Sequence, residues 1–99
     1  MKIKTSELIG ATLDWAVAQC ENFSVRYGFD DNCPEYSTDW AEGGPIIESE
    51  GIALYLYGPD KWNAMTEKEY QGPTPLIAAM RCYVASKLGD EVEIPEELT

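Results

Sequence analysis

No histidine occurs anywhere in this chain, and that single absence removes several chemistries. A cysteine nucleophile has no imidazole base, and a zinc site has no imidazole ligand. Basic residues are scarce as well: 7 Lys and Arg stand against 18 Asp and Glu, a formal net charge of −11. Binding to phosphate backbones needs a basic surface, so direct nucleic-acid binding is disfavoured. No apolar run approaches the ~18 residues of a membrane span. Residues 1–7 lack the apolar stretch of a signal peptide, so the expectation is a protein that stays in the cytoplasm of the cell that makes it.

Cysteine is sparse too. Cys20, Cys33 and Cys82 are odd in number and form no CxxC pair, which argues against a disulfide framework. Cys20 and Cys82 fall on helical patterns and read as core residues, while Cys33, in a polar loop, is the thiol best placed to react. No Gly-rich phosphate loop, GxSxG or HExxH occurs. Asp30, Asp31 and Glu35 begin like a calcium loop, but its sixth-position glycine is missing and Trp40-Ala41 stands where glutamate should close it. The chain therefore reads as a non-enzyme without cofactor or metal.

What is present is the composition of a folded protein: 44% apolar residues and eleven aromatics in 99 residues, enough for one core and one domain. The clearest local signal begins at Thr74. Thr74 suits an N-cap, Pro75 the first helical position, and Gly89 the residue just past the end. Between them Ile77, Met80, Val84 and Leu88 recur at helical spacing. Arg81 lies on the edge of that stripe. It is one of only two arginines, with Arg26, and either pairs with a carboxylate or anchors an anion.

Elsewhere the spacing predicts a short strand over residues 1–4 and a helix from Thr5 to about Cys20, capped by Thr5 or Ser6. Residues 23–27 alternate as a strand. Residues 28–45 show no periodicity and carry turn residues throughout, which predicts a long loop. Residues 51–57, GIALYLY, look like the best strand, apolar on both faces and so central in its sheet. Trp62 to Ala64 and residues 66–71 read as a connector, and residues 90–99 as an acidic tail. The expected architecture is α+β, two helices on one small three-stranded antiparallel or mixed sheet, with a long Gly/Pro-containing loop, all in a single domain over residues 1–99.

Candidate binding residues concentrate in that loop. Ser37, Thr38, Asp39 and Trp40 place hydroxyls, a carboxylate and an indole before a Gly43-Gly44-Pro45 turn. Either Trp40 plugs the core while its neighbours make local turn bonds, or it stacks on a flat ring that the glycines let approach closely. Trp62 is similarly a lid on the core or a second stacking surface. Arg81 and the helix start at Thr74 would hold a phosphate. Between Arg26 and Lys61 no basic residue interrupts a series of carboxylates from Asp30 to Asp60, either a solvated face or a surface for a basic partner.

Three segments together, LDWAVA at 13–18, YSTDWAEGGPIIE at 36–48 and GPTPLIAAMRCYVASKLGDE at 72–91, resemble the small phage proteins called NinX, from the nin region of lambdoid phages and related prophages. The resemblance implies a phage accessory protein made in a bacterial cytoplasm and assigns no catalytic residue. By analogy with other small phage proteins, two modes of action suit the residues. One is counter-defence by sequestering a nucleotide-like small molecule, read by Trp40, Trp62, Arg81, Thr74, Ser37, Thr38 and Asp39 beside Gly43 and Gly44. A homodimer sharing two Arg81 side chains would ease the repulsion between an acidic protein and its anion. The other is an acidic inhibitor lodged in the basic, nucleic-acid-binding groove of a host protein, weakened steeply by salt.

Overall fold

The computed structural model describes residues 1–21 and 33–96, so the strand expected over residues 23–27 lies outside the described residues. The α+β class holds, but with three helices and two antiparallel sheets. In chain order the elements are β1 (Lys2–Lys4), a 3-10 turn (Thr5–Glu7), α1 (Gly10–Cys20), α2 (Trp40–Glu50), β2 (Ala53–Gly58), β3 (Lys61–Met65), β4 (Glu69–Gly72), α3 (Pro75–Leu88) and β5 (Glu91–Glu93).

The last helix is built as its ends predict. The Thr74 hydroxyl accepts from the Ile77 amide at 3.1 Å, Pro75 opens the helix, and Gly89 follows it with φ of 92°. Burial, however, runs nearly all round α3. Leu76 to Met80 and Cys82 to Val84 are all buried, whereas Leu88, on the expected stripe, is exposed. A helix apolar on most sides is one surrounded by protein. α1, α2, the 3-10 turn and all three strands of the larger sheet pack around it.

The first helix starts five residues later than its caps suggest. Thr5 is fully buried and serves the end of α3 instead. Its hydroxyl donates to the Gly89 carbonyl at 2.6 Å and its amide to the Asp90 carbonyl at 2.8 Å. Thr12 instead makes the local bond at the start of α1, donating to the Ile9 carbonyl at 2.8 Å.

The loop expected over residues 28–45 is corrected at its C-terminal end, where Trp40–Glu50 is helical with Pro45 inside. Asp39 caps it, accepting from the Ala41 amide at 2.9 Å. Two glycines and a proline make poor helix, so tertiary packing decides the conformation. Ile46 is buried, and Gly43 lies flush against the next layer: a Cβ there would stand 2.5 Å from the Tyr36 carbonyl and 2.6 Å from Leu76 Cδ1. Gly43 and Gly44 are thus helix residues, not a flexible turn.

The strand order is also corrected. Among the described residues the larger sheet runs β2-β3-β4, so the apolar 51–57 segment lies at an edge and the supposed connector around Trp62 forms the centre. Asn63 and Ala64 are buried in β3, while Tyr55, Leu56 and Tyr57 are exposed in β2. β-Branched and aromatic content marks a strand but not its place in the sheet; two successive hairpins set that place here. Finally, the acidic tail carries β5, which pairs with β1 in the register Ile3↔Val92. Val92 and Ile94 alternate inward between outward glutamates and join the core.

Gly43→Ala is expected to destabilise the protein by about 1–3 kcal/mol in urea unfolding, because backbone and Leu76 must give way. Gly44→Ala is the matched control. The nearest atom to its Cβ is 3.9 Å away, so helix propensity should make it neutral or stabilising by up to about 1 kcal/mol.

Candidate functional site

The sequence-proposed residues divide between places. Asp39 and Trp40 cap and open α2, and Trp40 is 53% exposed at its first position. Thr38 is exposed beside them. Ser37 is buried, its amide donating to Asp14 Oδ1 at 2.8 Å across 23 positions of sequence, while its hydroxyl has no hydrogen-bond partner among the described residues. Burial raises the Asp14 pKa above the usual carboxylate value despite that bond. Thr74 is occupied with capping α3, and Trp62 sits half-buried in the central strand opposite Leu56 and Gly72.

Arg81 is not paired with a carboxylate among the described residues. Its Nε donates to the Leu8 carbonyl at 2.8 Å and its Nη1 to the Gln71 carbonyl at 2.7 Å. Among the described residues it has no salt bridge, although three other cationic groups do. Its guanidinium is half-buried, and loss of water draws its pKa below the ordinary arginine value. An arginine in a protein stays charged regardless. Five donors are available in a fixed fork, so the two carbonyls leave others unengaged.

Arg81 belongs to the wall of an open cleft of about 650 Å3 beside the larger sheet. The cleft lies where the β2–β3 turn (Tyr57, Asp60, Lys61), the end of β4 (Glu69 to Gly72) and Arg81 meet, with Ser6 from the 3-10 turn. Two cations and two carboxylates line it. It is therefore locally near neutral on a chain of net charge −11.

A second cleft of about 420 Å3 lies on the other side of Tyr70, lined by Thr66, Lys68, Cys82, Ser86, Lys87 and Asp90 among others. Here Lys68 and Lys87 are drawn towards Asp90 and Glu50, at 3.6 and 3.8 Å. Tyr70 lines both clefts and donates its hydroxyl to Asp90 Oδ1 at 2.7 Å. Burial first, then that bond, pushes the Tyr70 phenol up to about 12. The same bond, ahead of Lys68, holds the Asp90 carboxyl below its usual value.

Of the candidate binding residues, Arg81 alone lines either of these clefts. Ser37, Thr38, Asp39, Trp40, Gly43 and Gly44 gather at the start of α2, Thr74 begins α3, and Trp62 is in β3. Tyr57, Tyr70 and Lys61 were missed. Tyr57 ends a strand that reads as buried, Tyr70 lies in a stretch that reads as a connector, and Lys61 directly precedes another such stretch. Of the thiols, Cys82 is buried and Cys20 half-buried, with burial pushing Cys20 up to about 11. Cys33 is half-buried against the core rather than standing open in a loop.

A family model described as bacteriophage P22 NinX matches residues 4–87. The chain belongs to the NinX family. The match takes in every element from α1 to α3, including β2, β3 and β4, whose places in the sheet the sequence concealed. A comparison with curated proteins gives no match. No helix among the described residues is long and apolar enough to cross a membrane. The phage assignment thus comes from the family, and the chemistry of the clefts must be argued from their residues.

Tyr70→Phe is expected to return the Asp90 carboxyl towards its ordinary value, read by NMR titration of the side-chain carboxyl. The wild-type contribution of Asp90 to stability is present above the unfolded pKa and lost as pH falls through the lower folded one. An Asp90 titration unaffected by removal of the phenol would show that Lys68 alone depresses it.

Proposed function

We propose that this phage protein acts without catalysis, by holding a small anionic, ring-bearing molecule of nucleotide-like chemistry in the Arg81 cleft. In an infected bacterial cytoplasm, such binding would remove a defence signal from circulation. The observation that carries the reading is Arg81 itself, a half-buried guanidinium fixed by two backbone carbonyls and without a carboxylate partner among the described residues. Partial burial of a charge costs free energy unless an opposite charge or hydrogen bonds compensate. In a chain with 18 carboxylates, an arginine that forms no salt bridge among the described residues is poised for an anion from outside.

The cleft supplies further suitable groups. Lys61 adds a second cation, Tyr57 an aromatic face, and Gln71 and Ser6 polar edges. Asp60 and Glu69 oppose a highly charged ligand and favour one whose charge is compact and local. The stacking role assigned to Trp40 and Trp62 passes in this reading to Tyr57 and Tyr70.

Native mass spectrometry of the protein purified from infected bacteria provides the first test, the expected result being a small molecule released on gentle activation. With adenosine monophosphate as probe, Arg81→Lys and Lys61→Gln should each weaken binding about tenfold or more by calorimetry, since each removes one charge contact or its fork geometry. Lys61 is exposed and its variant leaves the fold intact. A protein that emerges empty and binds neither adenosine monophosphate nor inorganic phosphate would overturn the reading.

One observation favours the acidic inhibitor as a second reading. Glu42, Glu48 and Glu50 stand exposed along α2, with Trp40 exposed at its first turn. An exposed indole amid carboxylates suits a basic protein groove. Capture of a basic host protein that weakens steeply between low and moderate salt, and fails with Trp40→Ala, would support it. Salt-insensitive capture would count against it.

A further inference from the structure

Arg81 and Lys61 share their cleft with Asp60 and Glu69, and among the described residues none of these four groups is ion-paired with another. Both carboxylates are held by their own surroundings. Tyr55, Asn63 and Gln71 stand abreast across the three strands, and Glu69, two residues from Gln71, shares their face. Glu69 Oε1 accepts from the Tyr55 hydroxyl at 2.8 Å, a bond that draws the carboxylate over β3 towards β2. Asp60 follows Pro59 in the two-residue turn between the paired Gly58 and Lys61. Its φ is 51°, a left-handed conformation that aspartate tolerates better than most residues.

The two cations suffice for one phosphate. Arg81 spends Nε and Nη1 on backbone carbonyls, and Lys61 offers a single point charge. A second or third phosphate on the same ligand would find no further cation in the cleft. It would meet Asp60 and Glu69 instead, on a chain whose net charge is −11.

We propose that Asp60 and Glu69 select the ligand by charge, limiting the Arg81 cleft to nucleotides with a single phosphate and turning away di- and triphosphates. The inference rests on the Arg81 reading above and narrows its ligand class. Specificity of this kind is built from repulsion of the wrong ligand as much as from attraction of the right one.

The magnitudes allow it. A cleft of about 650 Å3 is too small to keep its charges beyond the ~8–10 Å over which salt screens them. Each carboxylate therefore acts on each added phosphate, by about threefold in affinity per pair of charges in a site open to water. Such a filter suits a binder of a scarce ligand. Triphosphates make up the bulk of a cell's nucleotides and would otherwise fill the site.

Calorimetric titration of the full chain with adenosine mono-, di- and triphosphate, without divalent cations, tests the selection. Affinity should fall with each added phosphate, the triphosphate binding at least about tenfold more weakly than the monophosphate. Asp60→Asn and Glu69→Gln should each narrow that ratio by about threefold or more, and together bring the triphosphate close to the monophosphate. Asparagine tolerates the same backbone and glutamine still accepts from Tyr55, so both variants keep the fold. Added salt should narrow the wild-type ratio as well. A triphosphate bound as tightly as the monophosphate would overturn the selection and leave the Arg81 reading standing. A preference that neither the variants nor salt reduce would belong to cleft shape and overturn the role of Asp60 and Glu69. Failure of all three nucleotides to bind would sink both readings.

Discussion

The burial of α3 on nearly every side is the constraint from which the other elements take their positions. Eight of its side chains are withdrawn from water, and no single sheet or helix could cover them. α1 and α2 cover part of it, the three-stranded sheet another, and the β1–β5 ribbon closes one end through Thr5 and Gly89. Because α3 is capped at Thr74 and stopped at Gly89, its register along the core is fixed, and so is the position of Arg81. The cost of moving that register would be the whole core, since packed interiors repack in steps rather than continuously.

That rigidity gives the cleft its character. Arg81 emerges from a buried helix and is spent partly on carbonyls of Leu8 and Gln71, binding the loop before α1 to the last strand of the sheet. The same contacts hold the guanidinium at the cleft wall, with no salt bridge among the described residues. One side chain thus ties the loop before α1 and the strand β4 to α3 and leaves charge available.

Legibility followed how local the determining forces were. The ends of α3 were readable because a cap, a proline at the first turn and a terminal glycine act within four residues of themselves. α2 was not readable: its sequence carries Gly43, Gly44 and Pro45, and its helix exists because Gly43 fits against the Tyr36 carbonyl and Leu76. Strand order failed for a related reason. LYLY has the strongest strand propensity in the chain, yet the pairing partner of β3 on each side is chosen by hairpin connections, leaving β2 outside. Of the candidate site residues, Arg81 lines a cleft and Trp40 and Trp62 line neither, because which side chains share a cleft depends on which segments meet in space. Thr5 illustrates the limit most simply. It has the chemistry of a helix cap and uses it on the carbonyl of Gly89, 84 positions away.

The sequence by itself determined the α+β class, the bounds of the central helix, the acidic balance, and membership in a phage family whose motifs span most of the chain. Those follow from composition, short-range capping and periodicity, which are properties of neighbouring residues. Tertiary structure alone decided that β3 lies between β2 and β4, that a Gly-Gly-Pro segment is helical, that the acidic tail carries a strand, and that Arg81 meets the carbonyls of Leu8 and Gln71. Each of these is settled by contacts between distant segments, where burial and hydrogen-bond satisfaction outweigh the ~1 kcal/mol preferences that a single residue expresses on its own.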